Sequence, residues 1–193
     1  MFKTADMLKI FAKYRGDSIV VSGRGGKHWI NISDTPLDIP LGDPAMGGHA
    51  AFAFGLAMAL PRKKVVLFDS EGDLQMSLGV LITVAEQKPS NFYHFMLDNE
   101  CYATTGGQPV PNAKNVKYDE MARAAGYPRA FSFDDLDAFS KALPGILENE
   151  GPVFVAMKVV PEIENEAIGN RKKGRTRTQP QVVADLKKEL RIA

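Results

Sequence analysis

The sequence predicts an α/β protein: an open parallel sheet with helices on both faces, followed by a C-terminal arm and helix. Three observations carry this. Short β-branched or aromatic runs alternate with stretches of helical periodicity along residues 1–160. The run Lys64–Asp69 (KVVLFD) has a continuously apolar centre, as a strand covered on both faces requires. The intervening helical stretches suit right-handed crossovers between parallel strands.

Taken in order, Met7, Leu8, Ile10 and Phe11 give a helix over Asp6–Tyr14, and Ser18–Ser22 is a short strand. Ala50–Leu60 is a helix of small and apolar residues that Pro61 ends. After the Lys64–Asp69 strand, Leu74–Gln87 returns to helix, Phe92–Leu97 to strand and Tyr118–Ala125 to helix, and Ala130–Phe133 is a short strand. Ser132 with Asp135 resembles a capping box at the start of a helix over Asp134–Leu147, and Pro152–Val160 is the last strand. Pro161–Gln179 has no clear periodicity. Thr178 with Gln181 then repeats the capping signature before a final helix, Val182–Leu190. The expected organisation is one α/β domain over residues 1–160 and an arm with a terminal helix over 161–193.

Composition narrows the function classes. The 193 residues are 45% apolar and 24% charged, with a formal net charge of +1, which excludes disorder and repeat arrays. The longest apolar stretch, Ala50–Leu60, has 11 residues, against the roughly 20 that span a bilayer. Lys3, Asp6 and Lys9 interrupt any secretory h-region, so a cytoplasmic protein is expected. A single cysteine, Cys101, excludes an internal disulfide and multi-thiolate clusters. Residues 1–160 carry a net charge of −2 and residues 161–193 of +3, mostly through Arg171, Lys172, Lys173, Arg175 and Arg177. The folded part lacks the spread of basic residues and aromatic platforms of a nucleic-acid binder, so the cluster is read as a solvated connector.

Ligands of open parallel sheets bind at the carboxyl ends of the strands. Four loops there are unusual: Ser22–Trp29 (SGRGGKHW), Gly42–His49 (GDPAMGGH), Ser70–Asp73 (SEGD) and Asp98–Gln108 (DNECYATTGGQ). Gly47-Gly48 before a helix start fits a phosphate site. Glu71, Asp73 and Asn99 are the hard oxygen ligands that Mg²⁺ prefers while leaving positions open for phosphate oxygens. Each loop alone is equally a tight turn; together they point to a Mg²⁺–diphosphate cofactor. His28 and His49 lie in strand-end loops as candidate proton donors or substrate contacts, whereas His94 sits inside a strand pattern and reads as structural. Trp29 and Tyr102 are candidates to line the pocket, and Arg24 and Lys27 to attract an anionic substrate.

These motifs resemble the diphosphate-binding domain of thiamine-diphosphate enzymes, whose signature opens Gly-Asp-Gly after a strand and closes about 30 residues later in Asn-Asn or Asp-Asn. Ser70 to Asn99 spans 30 positions. Ala45-Met46-Gly47, Gly55–Val66 (GLAMALPRKKVV), Met76–Gly79 (MSLG) and Leu97–Pro109 (LDNECYATTGGQP) are similar to sulfopyruvate and phosphonopyruvate decarboxylases. The resemblance implies metal ligation by Glu71, Asn99 and the Cys101 carbonyl, with the Cys101 sulfur idle. Met46 would prop the cofactor, and Ser22, Gly23, Gly47, Gly72, Asp73, Tyr102, Thr104 and Thr105 would surround it. Two positions depart from the pattern: Ser70-Glu71-Gly72 replaces Gly-Asp-Gly, and Asp73 stands where a small residue is usual. The metal ligand is therefore Glu71 or Asp73, with Glu71 preferred because it keeps the 30-position spacing.

The resemblance also implies a second, pyrimidine-binding domain that contributes a glutamate, and this chain has no room for one. The expectation is a beta-type subunit in a hetero-oligomer with a pyrimidine-binding, alpha-type subunit, decarboxylating a small 2-oxo acid. The alternatives are a carboligase or lyase of the same superfamily, or a non-catalytic cofactor-binding or regulatory subunit.

Overall fold

The computed structural model describes residues 1–41, 46–166, 170 and 177–192. Among them the parallel sheet comprises β1 (Ile19–Ser22), β2 (Asp38–Pro40), β3 (Val65–Ser70), β4 (Phe92–Asp98), β7 (Arg129–Phe133) and β8 (Val153–Lys158). A two-stranded antiparallel hairpin, β5 (Cys101–Tyr102) and β6 (Gln108–Pro109), follows β4. The main sheet has the order β2-β1-β3-β4-β8-β7 with every neighbouring pair parallel. The helices are α1 (Thr4–Ala12), α2 (His49–Ala59), α3 (Glu71–Met76), α4 (Val80–Gln87), α5 (Tyr118–Ala125), α6 (Leu136–Glu148) and α7 (Gln179–Leu190).

Alternation along the central strands builds a core on each face. Val66 and Phe68 of β3 with Tyr93, Phe95 and Leu97 of β4 pack against α1 and α6 through Met7, Leu8, Phe11, Phe139 and Leu143. Val65 and Leu67 with Phe92 and Met96 pack on the other face against Ala53 and Ala57 of α2, Val84 of α4, Ala122 of α5 and Leu186 of α7. Helices on both faces of a parallel sheet are thus observed as expected. The α7 helix joins the second core, where Val182 is 1% exposed, so the arm ends docked on the domain.

Several local expectations are corrected. The helix expected over Leu74–Gln87 is two helices that begin at Glu71 and break at Ser77, because Ser70 caps α3 and the chain turns where Met76 meets Gly47. The Asp134–Leu147 helix is capped by Asp135, whose side chain accepts from Ala138 N at 2.8 Å; Ser132 lies in β7. Thr178 and Gln181 do form a reciprocal capping box, but the helix starts at Gln179, with Pro180 in its first turn. No expectation covered β2, a three-residue strand ending in Pro40 at the sheet edge, where a missing N–H is tolerated. Among the described residues no helix is long and apolar enough to cross a membrane.

Candidate functional site

The chain leaves β1 for β2 on one side and reaches β3 on the other, so the carboxyl ends of β1 and β3 flank a topological switch point. A cleft opens there. Its walls come from the loop after β1 (Arg24, Gly25, Lys27), the turn into α2 (Met46), the start of α3 (Ser70, Gly72, Asp73), the loop after β4 (Asn99, Cys101, Tyr102, Thr104) and the arm (Glu162). The loop after β1 is glycine-rich for a steric reason: a Cβ on Gly25 would lie 1.9 Å from the Asp69 carbonyl oxygen, so the loop can close on β3 only without a side chain.

Glu71 is the first residue of α3 and Asn99 follows β4, yet both side chains accept from one donor. Cys101 N lies 3.1 Å from Glu71 Oε1 and 3.0 Å from Asn99 Oδ1. Glu71 has no exposed surface, and its Oε2 has no hydrogen-bond partner. Burial, and then the neighbouring Asp98 carboxylate, raise its pKa from 4.5 to about 8. A buried carboxylate with one unsatisfied oxygen beside an amide oxygen is a donor set for a hard divalent cation, so the residues fit Mg²⁺. Burial and the nearby Glu71 and Glu100 carboxylates push the Cys101 thiol up, away from the thiolate form.

Asp73 is in a different situation two residues on. Its Oδ1 accepts from Gly47 N at 2.9 Å, and its Oδ2 accepts from Ser70 Oγ at 3.1 Å and lies 2.9 Å from His49 Nδ1. His49 is fully buried as the first residue of α2 and also faces Asp69 Oδ1 at 3.8 Å. Asp69 Oδ2 in turn lies 2.9 Å from His94 Nε2. Burial favours neutral His49, but the Asp69 and Asp73 carboxylates beside it outweigh that and raise its pKa from 6.5 to about 9. The ligand atoms of His49, Asp69 and Asp73 lie within 4.8 Å of one another. His49 Nδ1 and both carboxylates already have protein partners, whereas His49 Nε2 has none.

Other expected residues are placed as follows. Met46 is half exposed at the cleft, and Tyr102 lays its ring on Gly72, where a Cβ would lie 3.0 Å away. Gly47 adopts a φ of +73° and spends its N–H on Asp73, so that donor faces a carboxylate of the chain itself. Gly23 makes room for the imidazole: a Cβ there would lie 2.9 Å from His49 Nδ1. Ser22 is buried at the end of β1, where its carbonyl accepts from Leu41 N. Thr105 is exposed and bonds within its own turn to the Tyr102 carbonyl and Gln108. Ser22, Gly23, His49 and Thr105 are thus not on the cleft wall. Trp29 is a core residue: it is 1% exposed, packs on Phe11 and Phe68, and donates to Asp38 at 2.7 Å.

His28 Nε2 lies 2.5 Å from Glu162 Oε2, and Lys27 Nζ lies 3.2 Å from Glu162 and 3.0 Å from Glu164. Burial pushes the Glu162 carboxyl up, but His28 and then Lys27 hold it below its usual range. Sequence reasoning missed Glu162, which comes from an aperiodic segment, and the Asp69–His94 pair. Gly42, Asp43, Pro44 and Ala45, and Arg171, Lys172, Lys173 and Arg175 of the basic cluster, lie outside the described residues. Arg177 is described: it bonds Asp34 Oδ1 at 2.6 Å, the Thr35 carbonyl and Asp185, tying α7 to the segment before β2.

Known proteins are similar to this chain in sequence and fold. The chain is 32% identical over 161 residues to a phosphonopyruvate decarboxylase of Streptomyces viridochromogenes, covering 82% of this chain and 40% of that protein. It is 36% identical over 148 residues to the sulfopyruvate decarboxylase subunit beta of Methanothermobacter thermautotrophicus, covering 75% of each. The chain spans less than half of the phosphonopyruvate decarboxylases it matches, 40% of the one above and 29% of a second from Streptomyces hygroscopicus. The crystal structure of benzoylformate decarboxylase from Polynucleobacter necessarius shares the fold, with a TM-score of 0.69 at 16% identity over 83% of this chain and 33% of that one. The match to the family described as thiamine pyrophosphate enzyme, C-terminal TPP binding domain, runs over residues 24–157, and the chain belongs to that family.

Proposed function

We propose that this chain is the diphosphate-binding subunit of a thiamine-diphosphate- and Mg²⁺-dependent 2-oxo acid decarboxylase acting on a sulfopyruvate- or phosphonopyruvate-like substrate. The observation that carries the reading is the meeting of Glu71 and Asn99 on one backbone N–H, with Glu71 Oε2 buried and unpartnered. Glu71, Asn99 and the Cys101 carbonyl would hold the metal. Met46, Gly72, Tyr102 and Thr104 would flank the cofactor, since all four line the cleft. The cofactor supplies the electron sink for the carbanion left when CO₂ departs. Lys27 and Arg24 also line this cleft, Lys27 paired there with Glu162 and Glu164.

Relatives of similar length are called subunit beta. A separate pyrimidine-binding subunit would complete the site at an interface. Release of CO₂ from sulfopyruvate or phosphonopyruvate, with thiamine diphosphate and Mg²⁺ present, tests this. The chain alone should be inactive, and the chain mixed with the partner subunit should be active. Full turnover by the chain alone overturns the shared site, and no thiamine diphosphate binding in either state overturns the cofactor reading.

A further inference from the structure

Asp73 presents a difficulty that the surrounding residues resolve. It lines a cleft that, on the reading above, takes an anionic diphosphate, and a bare carboxylate there would repel that ligand. It is also 5% exposed, so its charge is poorly screened by water. Three independent features seat one cation against it. His49 Nδ1 lies 2.9 Å from Asp73 Oδ2, and His49 has no exposed surface. Gly23 carries no Cβ where one would come 2.9 Å from the same nitrogen. Asp69, held by His94 Nε2 and by Ser70 N at 2.9 Å each, stands behind the imidazole as a second carboxylate.

The Asp69–His94 pairing follows from the sheet. Leu67 of β3 is level with His94 of β4, so Asp69, two residues on, lies on the same face one diagonal away. That face is the one α2 covers. The chain His94–Asp69–His49–Asp73–Gly47 N therefore runs from the sheet interior to the turn that carries Met46.

We propose that His49 is a positioning residue, the charge partner that lets Asp73 line an anion-binding cleft while Asp73 holds the Met46–Gly47 turn through the Gly47 N–H. His49 touches no ligand in this role. It acts through Asp73, with the Asp69 carboxylate 3.8 Å from the same nitrogen. This inference rests on the diphosphate reading, and its test separates the two.

The test uses the full chain with its partner subunit and follows thiamine diphosphate binding calorimetrically at saturating Mg²⁺. His49→Gln keeps bulk and a donor but loses the charge, and should weaken binding about tenfold, as loss of an outer-shell partner typically does. Combining it with Asp73→Asn makes the pair neutral and should restore binding to within about threefold of the wild type, the signature of coupled residues. Asn91→Ala, which removes donors to the Ala57, Leu60 and Lys63 carbonyls, is the structural control: it should lower the melting temperature and leave affinity unchanged. Hydrogen exchange of the Gly47 amide, bonded to Asp73 in the wild type, should quicken in His49→Gln and not in Asn91→Ala. Wild-type affinity and unchanged Gly47 exchange in His49→Gln, or a double variant no better than the single, overturns the proposal. Failure of the wild type to bind thiamine diphosphate instead overturns the diphosphate reading, and the Gly47 exchange still decides whether His49 holds the turn.

Discussion

Glu71 and Asp73 stand two residues apart in one short helix, both buried, and their surroundings are opposite. Glu71 Oε1 accepts from Cys101 N while Oε2 stays unpartnered, so burial works against its charge. Asp73 has both oxygens satisfied, by Gly47, Ser70 and His49. The difference teaches that identity and spacing nominate two carboxylates equally, whereas spare bonding capacity separates them. An oxygen that the protein leaves empty at a cost of about 1–3 kcal/mol is available to a cation, and one already bonded is not.

The largest effect should separate the two directly. Glu71→Gln removes the charge but keeps the shape, and should weaken Mg²⁺-dependent thiamine diphosphate binding by about 100-fold or more, since even outer-shell changes cost 10- to 100-fold. Its melting temperature without metal should hold or rise, because the buried Glu71 carboxyl must take up a proton to fold at neutral pH and an amide need not. Asp73→Asn should change affinity by only about threefold, because His49 keeps Asp69 as a partner and the amide oxygen still accepts from Gly47. Calorimetric titration with Mg²⁺ varied reads both. The reverse order would move the ligand assignment to Asp73.

The second way to sharpen the contrast is pH. The Glu71 carboxyl is raised from 4.5 to about 8, so the folded chain holds a proton that the unfolded chain has lost, and stability falls as pH rises across that window. His49, raised from 6.5 to about 9, contributes stability that is fully present below 6.5 and lost as pH rises through 9. The groups facing it are Asp69 and Asp73, with His94 behind Asp69. Asp69, lowered by His49 and His94 against its burial, acts only at more acidic pH. Thermal melts of the metal-free chain should therefore decline from about pH 5 toward pH 9. Added Mg²⁺ should flatten the lower part of that decline, which belongs to Glu71, and leave the upper part, which belongs to His49.

Two smaller effects bound the site. Arg177→Ala should release α7 from Asp34, Thr35 and Asp185 and cost on the order of 1 kcal/mol, seen as a lower melting temperature with cofactor affinity unchanged. Cys101→Ala should leave affinity within about twofold, because it is the Cys101 backbone N–H that meets Glu71 and Asn99; a larger loss would give the sulfur a role in the site.

That Glu71 and Asn99 come together was legible because each follows an apolar strand, and the resemblance to the family's 30-position signature links the two loops. The hairpin of β5 and β6 was not, since two-residue strands carry no periodicity. His49 was legible as a titratable residue near a ligand loop, but not as a fully buried one: its first-turn position in α2 turns it inward against Gly23. His94 and Asp69 each read as strand residues, and nothing in their separation of 25 positions announces a hydrogen bond.

The amino-acid sequence by itself determined the alternation of strands and helices, the two-sided sheet, the capped terminal helix and the loops that carry the site. Those follow from local periodicity, and each segment states its own. Only the tertiary structure decided which carboxylate is free and which is neutralised, and that the arm lays Glu162 on Lys27 and His28. These are contacts between segments far apart in the chain, and they depend on strand register, the face each side chain takes and the close approaches that Gly23 and Gly25 permit. Hydrogen-bond satisfaction is a property of such packing, so it exists only once the sheet has brought the partners within reach.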